Sequence, residues 1–157
     1  MTGGALLFFY TLYNKLKGVT TMIGIIVEGP YDEKVVKQAV PEVEVLILNG
    51  NGFRHNADKI NQLVKQCELV FILTDPDHAG TLIADKILRA FPETYRIYVD
   101  PKLACKKIYK KFHYGIEYCE IDYVRELIIS SVNSRLLYNN TEGWWTRNDH
   151  HTGKNFS

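Results

Sequence analysis

Asp75 and Asp77, in "FILTDPDHAG", stand one proline apart at the end of the most apolar run in the domain. Two like charges that close repel each other by about 1 kcal/mol at 4 Å in water, and by about 4 at an effective dielectric of 20. Pro76 restricts its neighbours, so the pair cannot readily swing apart. A third acid, Glu28, ends another apolar run, "IGIIV". If the three meet, the cluster repels itself unless a cation joins it. A donor set made of carboxylate oxygens suits magnesium or manganese. No histidine or cysteine stands at zinc-like spacing beside these acids. The pair taken alone has a plainer reading. An Asp-x-Asp after a strand also serves as a turn or a helix N-cap, and Asp77 is placed to cap a helix beginning near Ala79.

The elements decide whether the acids meet. Apolar runs alternate with helical periodicity from Ile23 onward. Strands are expected at 23–27, 43–50, 69–74 and 95–99, with a short fifth at 115–119. Helices are expected at 31–40, 56–66, 79–91, 103–112 and 122–132. This alternation predicts an α/β fold, a parallel sheet of four or five strands with helices on both faces. In such a sheet the carboxyl ends of the strands share one rim, where ligands gather. Glu28, Asn49-Gly50, Asp75-Pro76-Asp77 and Asp100 each follow a strand and fall on that rim. Gly29 and Gly80 are read as points where backbone approaches it closely.

"PKLACKKIYKKFHYG" supplies opposite charge. Read as a helix, it stacks Lys102, Lys106 and Lys110 on one face, with Lys107 and Lys111 beside them. Cys105, Ile108, Tyr109 and Phe112 then keep core spacing on the other face. Such a face holds a phosphate backbone or is simply solvated. Arg54 and His55 offer further phosphate contacts or are ordinary loop residues. Trp144 and Trp145 either stack on bases or dock on the domain. His113 and the pair His150-His151 have no partner that spacing reveals.

Composition narrows the setting. With 157 residues and 46% hydrophobic content, the chain fits one domain with a sizeable core. A net charge of +1 points to no partner class by itself. Cys67, Cys105 and Cys119 are too few and scattered for a zinc site or a disulfide framework, and their odd number suggests reduced thiols in the cytoplasm. The apolar segment from Ala5 to Tyr13 is too short to span a bilayer, and no positive charge precedes it as a signal peptide would require. Residues 1–21 are therefore expected to be an extension without assigned role, 22–133 the domain, and 134–157 a flexible polar tail. Met22 could equally be the natural start.

The pairing of "IIVEGPYDE" with "ILTDPDHAG" about 45 residues later resembles the Toprim domain, over roughly residues 22 to 130. The resemblance implies a Rossmann-like parallel sheet. It implies Glu28 as general acid/base, and Asp75 and Asp77 as ligands of a divalent metal. Asp32 matches the acid that many members place four residues after the glutamate. Among subfamilies the likeness is nearest to the ribonuclease that matures 5S ribosomal RNA, in "VEGPYDEKVVKQAV", "LNGNG", "ILTDPDHAG", "VDPKLA" and "YGIEYCEIDYVREL". That ribonuclease carries a further RNA-binding domain, whereas about two dozen residues remain here. His78-Ala79 also stands where it has an aromatic-proline pair. Stand-alone small Toprim proteins are the other comparison.

The expectation is thus a magnesium- or manganese-dependent nuclease, with RNA favoured over DNA and no membrane role. A separate protein that completes the substrate-binding surface is a further partner the sequence leaves open. The alternative is a binding module that docks nucleic acid or a partner without cutting it. Strand passage through a covalent tyrosine, and priming, lack the domains they need. Asp-x-Asp phosphatases and signalling receivers place their paired acids after the first strand, not the third.

Overall fold

The computed structural model describes residues 21–148, with side chains through residue 138. Four strands form a parallel sheet: β1 (Ile23–Val27), β2 (Glu44–Ile47), β3 (Leu69–Ile72) and the short β4 (Tyr95–Arg96), in the order β2-β1-β3-β4. Ile25 lies opposite Val45 on one side and Phe71 on the other, which fixes the register of the centre. Helices α1 (Pro30–Ala39), α2 (Phe53–Gln66), α3 (His78–Ala90) and α4 (Ile121–Asn148) cover both faces. This is the expected α/β architecture.

Alternation along the strands splits the core in two, as a sheet buried on both faces requires. Ile25, Val27, Leu69, Phe71 and Leu73 pack with Val36 of α1 and with Val124, Ile128 and Val132 of α4. Ile26, Val70 and Ile72 pack with Ile60 and Leu63 of α2 and with Ala84 and Ile87 of α3. Helix α1 opens with Pro30 and carries Asp32 and Glu33 in its first turn, where negative charge is favoured. It is tied to α4 by the Arg125 guanidinium, whose Nε donates to the Ala39 carbonyl at 2.9 Å.

Three sequence expectations do not hold. The stretch expected as a basic helix at 103–112 is an antiparallel hairpin, β5 (Cys105–Ile108) and β6 (Lys111–Tyr114), turning through Tyr109-Lys110. Its lysines therefore do not stack at i, i+4, i+8. Ile108, Tyr109, Phe112 and Tyr114 favour strands, and over so short a run the helical spacing was coincidental. The expected fifth strand at 115–119 is a single 3-10 turn, Ile116–Tyr118. The last helix does not stop near residue 132 but runs to Asn148, so much of the expected flexible tail is helical. Residues 1–20 and 149–157, with His150 and His151, lie outside the described residues, as do the side chains of Trp144 and Trp145.

All three cysteines are free. Burial raises the Cys67 thiol, and it raises Cys119 to about 11, helped by Asp75 and Asp32. Among the described residues, no helix is long and apolar enough to cross a membrane.

Candidate functional site

The parallel sheet brings the ends of β1 and β3 side by side, and with them Glu28 and Asp75. Glu28 Oε1 accepts the Asp75 backbone N–H at 2.8 Å. Asp75 Oδ1 in turn accepts the Ile116 N–H at 2.9 Å, in the 3-10 turn after the hairpin. Asp77 caps α3, its Oδ1 accepting the Gly80 N–H at 2.7 Å. Each of the three carboxylates thus has one oxygen on a backbone N–H.

Gly80 lets these parts meet. A Cβ there would lie 2.2 Å from the Asp75 carbonyl oxygen and 2.9 Å from Glu28 Oε1. Its carbonyl also accepts the Thr74 hydroxyl at 2.9 Å. Gly29 is different, since a Cβ there would meet nothing closer than Asp32 Oδ2 at 3.7 Å. Gly29 contributes its N–H, which donates to that Asp32 oxygen at 3.0 Å.

Asp32 lies in the first turn of α1, only 6% exposed. Burial raises it to about 6, with Asp75 adding to the rise, the Gly29 N–H opposing it and Glu117 contributing less. Burial is also the main cause at Glu28, raised from 4.5 to about 7. There the Asp75 N–H pulls down, while Asp75, Asp77 and Asp32 push up. Asp75 is raised by burial too, against the Ile116 N–H, with Asp77 and Glu117 adding to the rise. The four expected acids therefore act on one another as a group. The ion pairs among the described residues, Arg96 with Asp85 and Arg125 with Asp122, involve none of them.

Two residues escaped the sequence reading. Glu117 sits in the 3-10 turn and acts on both Asp32 and Asp75. Its placement depends on the chain returning to Asp75 after the hairpin, which no local pattern announces. Asn56, 3% exposed, organises the loop after β2. Its Nδ2 donates to the carbonyls of Leu48 at 3.1 Å, Asn51 at 2.6 Å and Gly52 at 3.4 Å. A buried asparagine three residues into a helix that follows a glycine-rich turn was the available signal. Asn49 supports the rim through its backbone, its N–H donating to the Glu28 carbonyl at 2.9 Å. Asp100 stays in its own turn, accepting the Lys102 N–H at 2.9 Å.

Basic groups flank the acids. A hollow of about 70 Å³ beside Glu28 is lined by Leu48, Gly50, Asn51, Gly52 and Ile83. Gly52 also borders a larger hollow, about 390 Å³, lined by Phe53, Arg54, His55 and Lys86. These loops follow β2, whereas the lysine hairpin follows β4 in sequence, forms a sheet of its own and is rooted beside Asp75 through the Ile116 N–H. Lys102, Lys106, Lys107, Lys110 and Lys111 are all exposed.

The donors are chemically right for a hard divalent cation, but they are splayed. Among the described residues, no three acidic, histidine or thiol side chains are gathered closely enough to enclose an ion.

A model of the Toprim domain matches residues 24–113. Ribonuclease M5 of Fusobacterium nucleatum subsp. nucleatum is 38% identical over 76 residues, which are 48% of this chain and 41% of that protein. Ribonuclease M5 of Staphylococcus aureus is 29% identical over 105 residues, 67% of this chain and 57% of that protein. The chain spans about half the length of these curated relatives. Among solved structures, a small TOPRIM domain protein from Bacillus stearothermophilus superposes with a TM-score of 0.57 at 21% identity, covering 71% of this chain and 89% of that one. That likeness concerns the fold alone.

Proposed function

The chain belongs to the Toprim family, and on that premise we propose that it is a divalent-metal-dependent nuclease of structured nucleic acid, with RNA the preferred substrate. The observation that carries the reading is the Glu28 carboxylate seated on the Asp75 N–H at 2.8 Å, with Asp77 and Asp32 close enough to act on it. Acids that act on one another and have no ion-pair partner among the described residues fit a site that is completed by a metal ion and a phosphate. Kinship with ribonucleases M5 supports RNA over DNA.

Asp75 and Asp77 would hold magnesium or manganese, with Glu28 beside them. Bound there, the ion supplies neutralising charge at the scissile phosphate and a more acidic water. Glu28 accepts or donates the proton, in a position fixed by the Asp75 N–H. Asp32 and Glu117 add negative potential around it. Gly80 leaves the room in which the Asp75 carbonyl and the Glu28 carboxylate pack against the start of α3. Arg54 and the hairpin lysines engage phosphates flanking the cleaved bond.

The test is magnesium- or manganese-dependent cleavage of structured RNA and of DNA, with Glu28→Gln and Asp75→Asn as controls. Cleavage that persists in both variants would falsify the assignment. The splayed carboxylates favour one second reading, a module that binds nucleic acid without cutting. Binding with no cleavage in either ion would select it.

A further inference from the structure

The β5–β6 hairpin turns through a pair of residues poorly suited to the task. Tyr109 and Lys110 have φ of 45° and 67°. A two-residue hairpin turn of this kind needs positive φ at both positions, which Asn-Gly or Gly-Gly supply with least strain. A bulky residue there is an outlier. Among the described residues the other left-handed pair is the low-strain one, Asn49-Gly50, with φ of 53° and 67°. Tyr109 recovers nothing by packing, because it is 97% exposed. Strain retained without internal benefit directs attention outward.

The surroundings suit an anionic polymer. No acidic residue occurs between Pro101 and Gly115, while five lysines do. None of these lysines forms an ion pair among the described residues. Alternation puts Lys107, Phe112 and Tyr114 on one face, where the Lys107 ammonium lies 5.8 Å from the Phe112 ring centroid. Phe112 is 59% exposed and Tyr114 42%. The root of the hairpin is firm: the Gly115 N–H donates to the Ala104 carbonyl at 2.9 Å, and the next N–H, of Ile116, holds Asp75. The arm is thereby fastened to the acid rim.

We propose that this hairpin is the arm that grips the nucleic acid, with Tyr109 at its tip stacking on an unpaired base while the lysines hold the neighbouring phosphates. The aromatic face tolerates any base, so the arm selects an unpaired segment rather than a sequence. The inference rests on the proposed function only in taking nucleic acid as the ligand.

Binding is measured on the full chain in EDTA, where cleavage does not interfere. The probes are a fluorescein-labelled RNA stem-loop, the blunt duplex of the same stem, and the DNA stem-loop of the same sequence. Tyr109→Asn changes no charge, removes the ring and relieves the turn. It should weaken stem-loop binding about tenfold or more, leave the duplex nearly unaffected, and hold or raise the melting temperature. Tyr109→Phe should bind like the parent. Equal stem-loop binding by Tyr109→Asn and the parent would overturn the proposal. So would a parent that binds none of the probes, which would assign the hairpin to a protein partner. Failure of the nuclease reading looks different: no cleavage in any divalent ion, with the Tyr109→Asn binding defect still present.

Discussion

Replacing Glu28 by glutamine should stabilise the metal-free protein. Glutamine keeps an oxygen to accept the Asp75 N–H and removes a charge from among Asp75, Asp77 and Asp32. The Glu28 carboxyl rises from 4.5 in the unfolded chain to about 7 in the fold, so the folded state favours its neutral form. The stability this gives is complete below about 4.5 and is lost as pH rises through about 7. At face value the rise is worth about 3.4 kcal/mol. Glu28 is only half-buried and solvent screens it, so about 1 to 1.5 kcal/mol is a sounder figure. In a domain this size that is about 3 to 6 °C in melting temperature. Thermal melts in EDTA at pH 5 and pH 8 measure it. The Glu28→Gln protein should melt higher at pH 8, and the advantage should shrink toward pH 5. Magnesium should then raise the parent's melting temperature more than the variant's. A Glu28→Gln protein less stable than the parent at pH 8, or an advantage independent of pH, would refute the reasoning.

Two further substitutions probe the same rim. Gly80→Ala in a helix ordinarily gains about 0.5 to 1 kcal/mol, yet here the new Cβ would meet the Asp75 carbonyl oxygen at 2.2 Å. A net loss of about 2 to 3 kcal/mol is expected, read as a lower urea midpoint, and a midpoint equal to or above the parent's would contradict it. Asp77→Asn should keep the cap on the Gly80 N–H, whereas Asp77→Ala should lose about 1 kcal/mol. Both should weaken manganese binding in a calorimetric titration, so equal stability of the two variants, or undiminished binding in Asp77→Asn, would count against a double role for Asp77.

What could be read from the sequence depended on how local the cause was. Runs such as "IGIIV" and "LVFILT" alternate with amphipathic helices, and that pattern alone specifies a parallel sheet covered on both faces. The meeting of Glu28 with Asp75 followed from topology, since parallel strands deliver their carboxyl ends to one rim. The hairpin was illegible because Tyr109-Lys110 carries no turn signal and its lysine spacing fits a helix equally well. Glu117 was illegible for a related reason. It joins the acids through a bond between Asp75 and the Ile116 N–H, across 41 residues of sequence. Asp77 was read two ways, as metal ligand and as helix cap. The cap is present, and it occupies only one of the two oxygens.

The backbone bonds explain how a group of acids can persist in a stable domain. Each N–H that a carboxylate accepts belongs to a different structural joint. Glu28 holds the exit of β3, Asp75 holds the turn after the hairpin, and Asp77 holds the start of α3. Such bonds favour the charged form and offset part of the repulsion. They also make the acids structural members, so removing a side chain outright loosens a joint while removing only its charge does not. An amide at Glu28, Asp75 or Asp77 keeps the accepting oxygen and abolishes the charge a cation needs. For this rim the isosteric amides, rather than alanine, separate chemistry from folding. The bond from Asp75 to Ile116 adds a mechanical consequence. A load on the lysine hairpin would be delivered two residues later to a carboxylate of the candidate site, so the proposed grip of the arm on nucleic acid would bear on the orientation of Asp75.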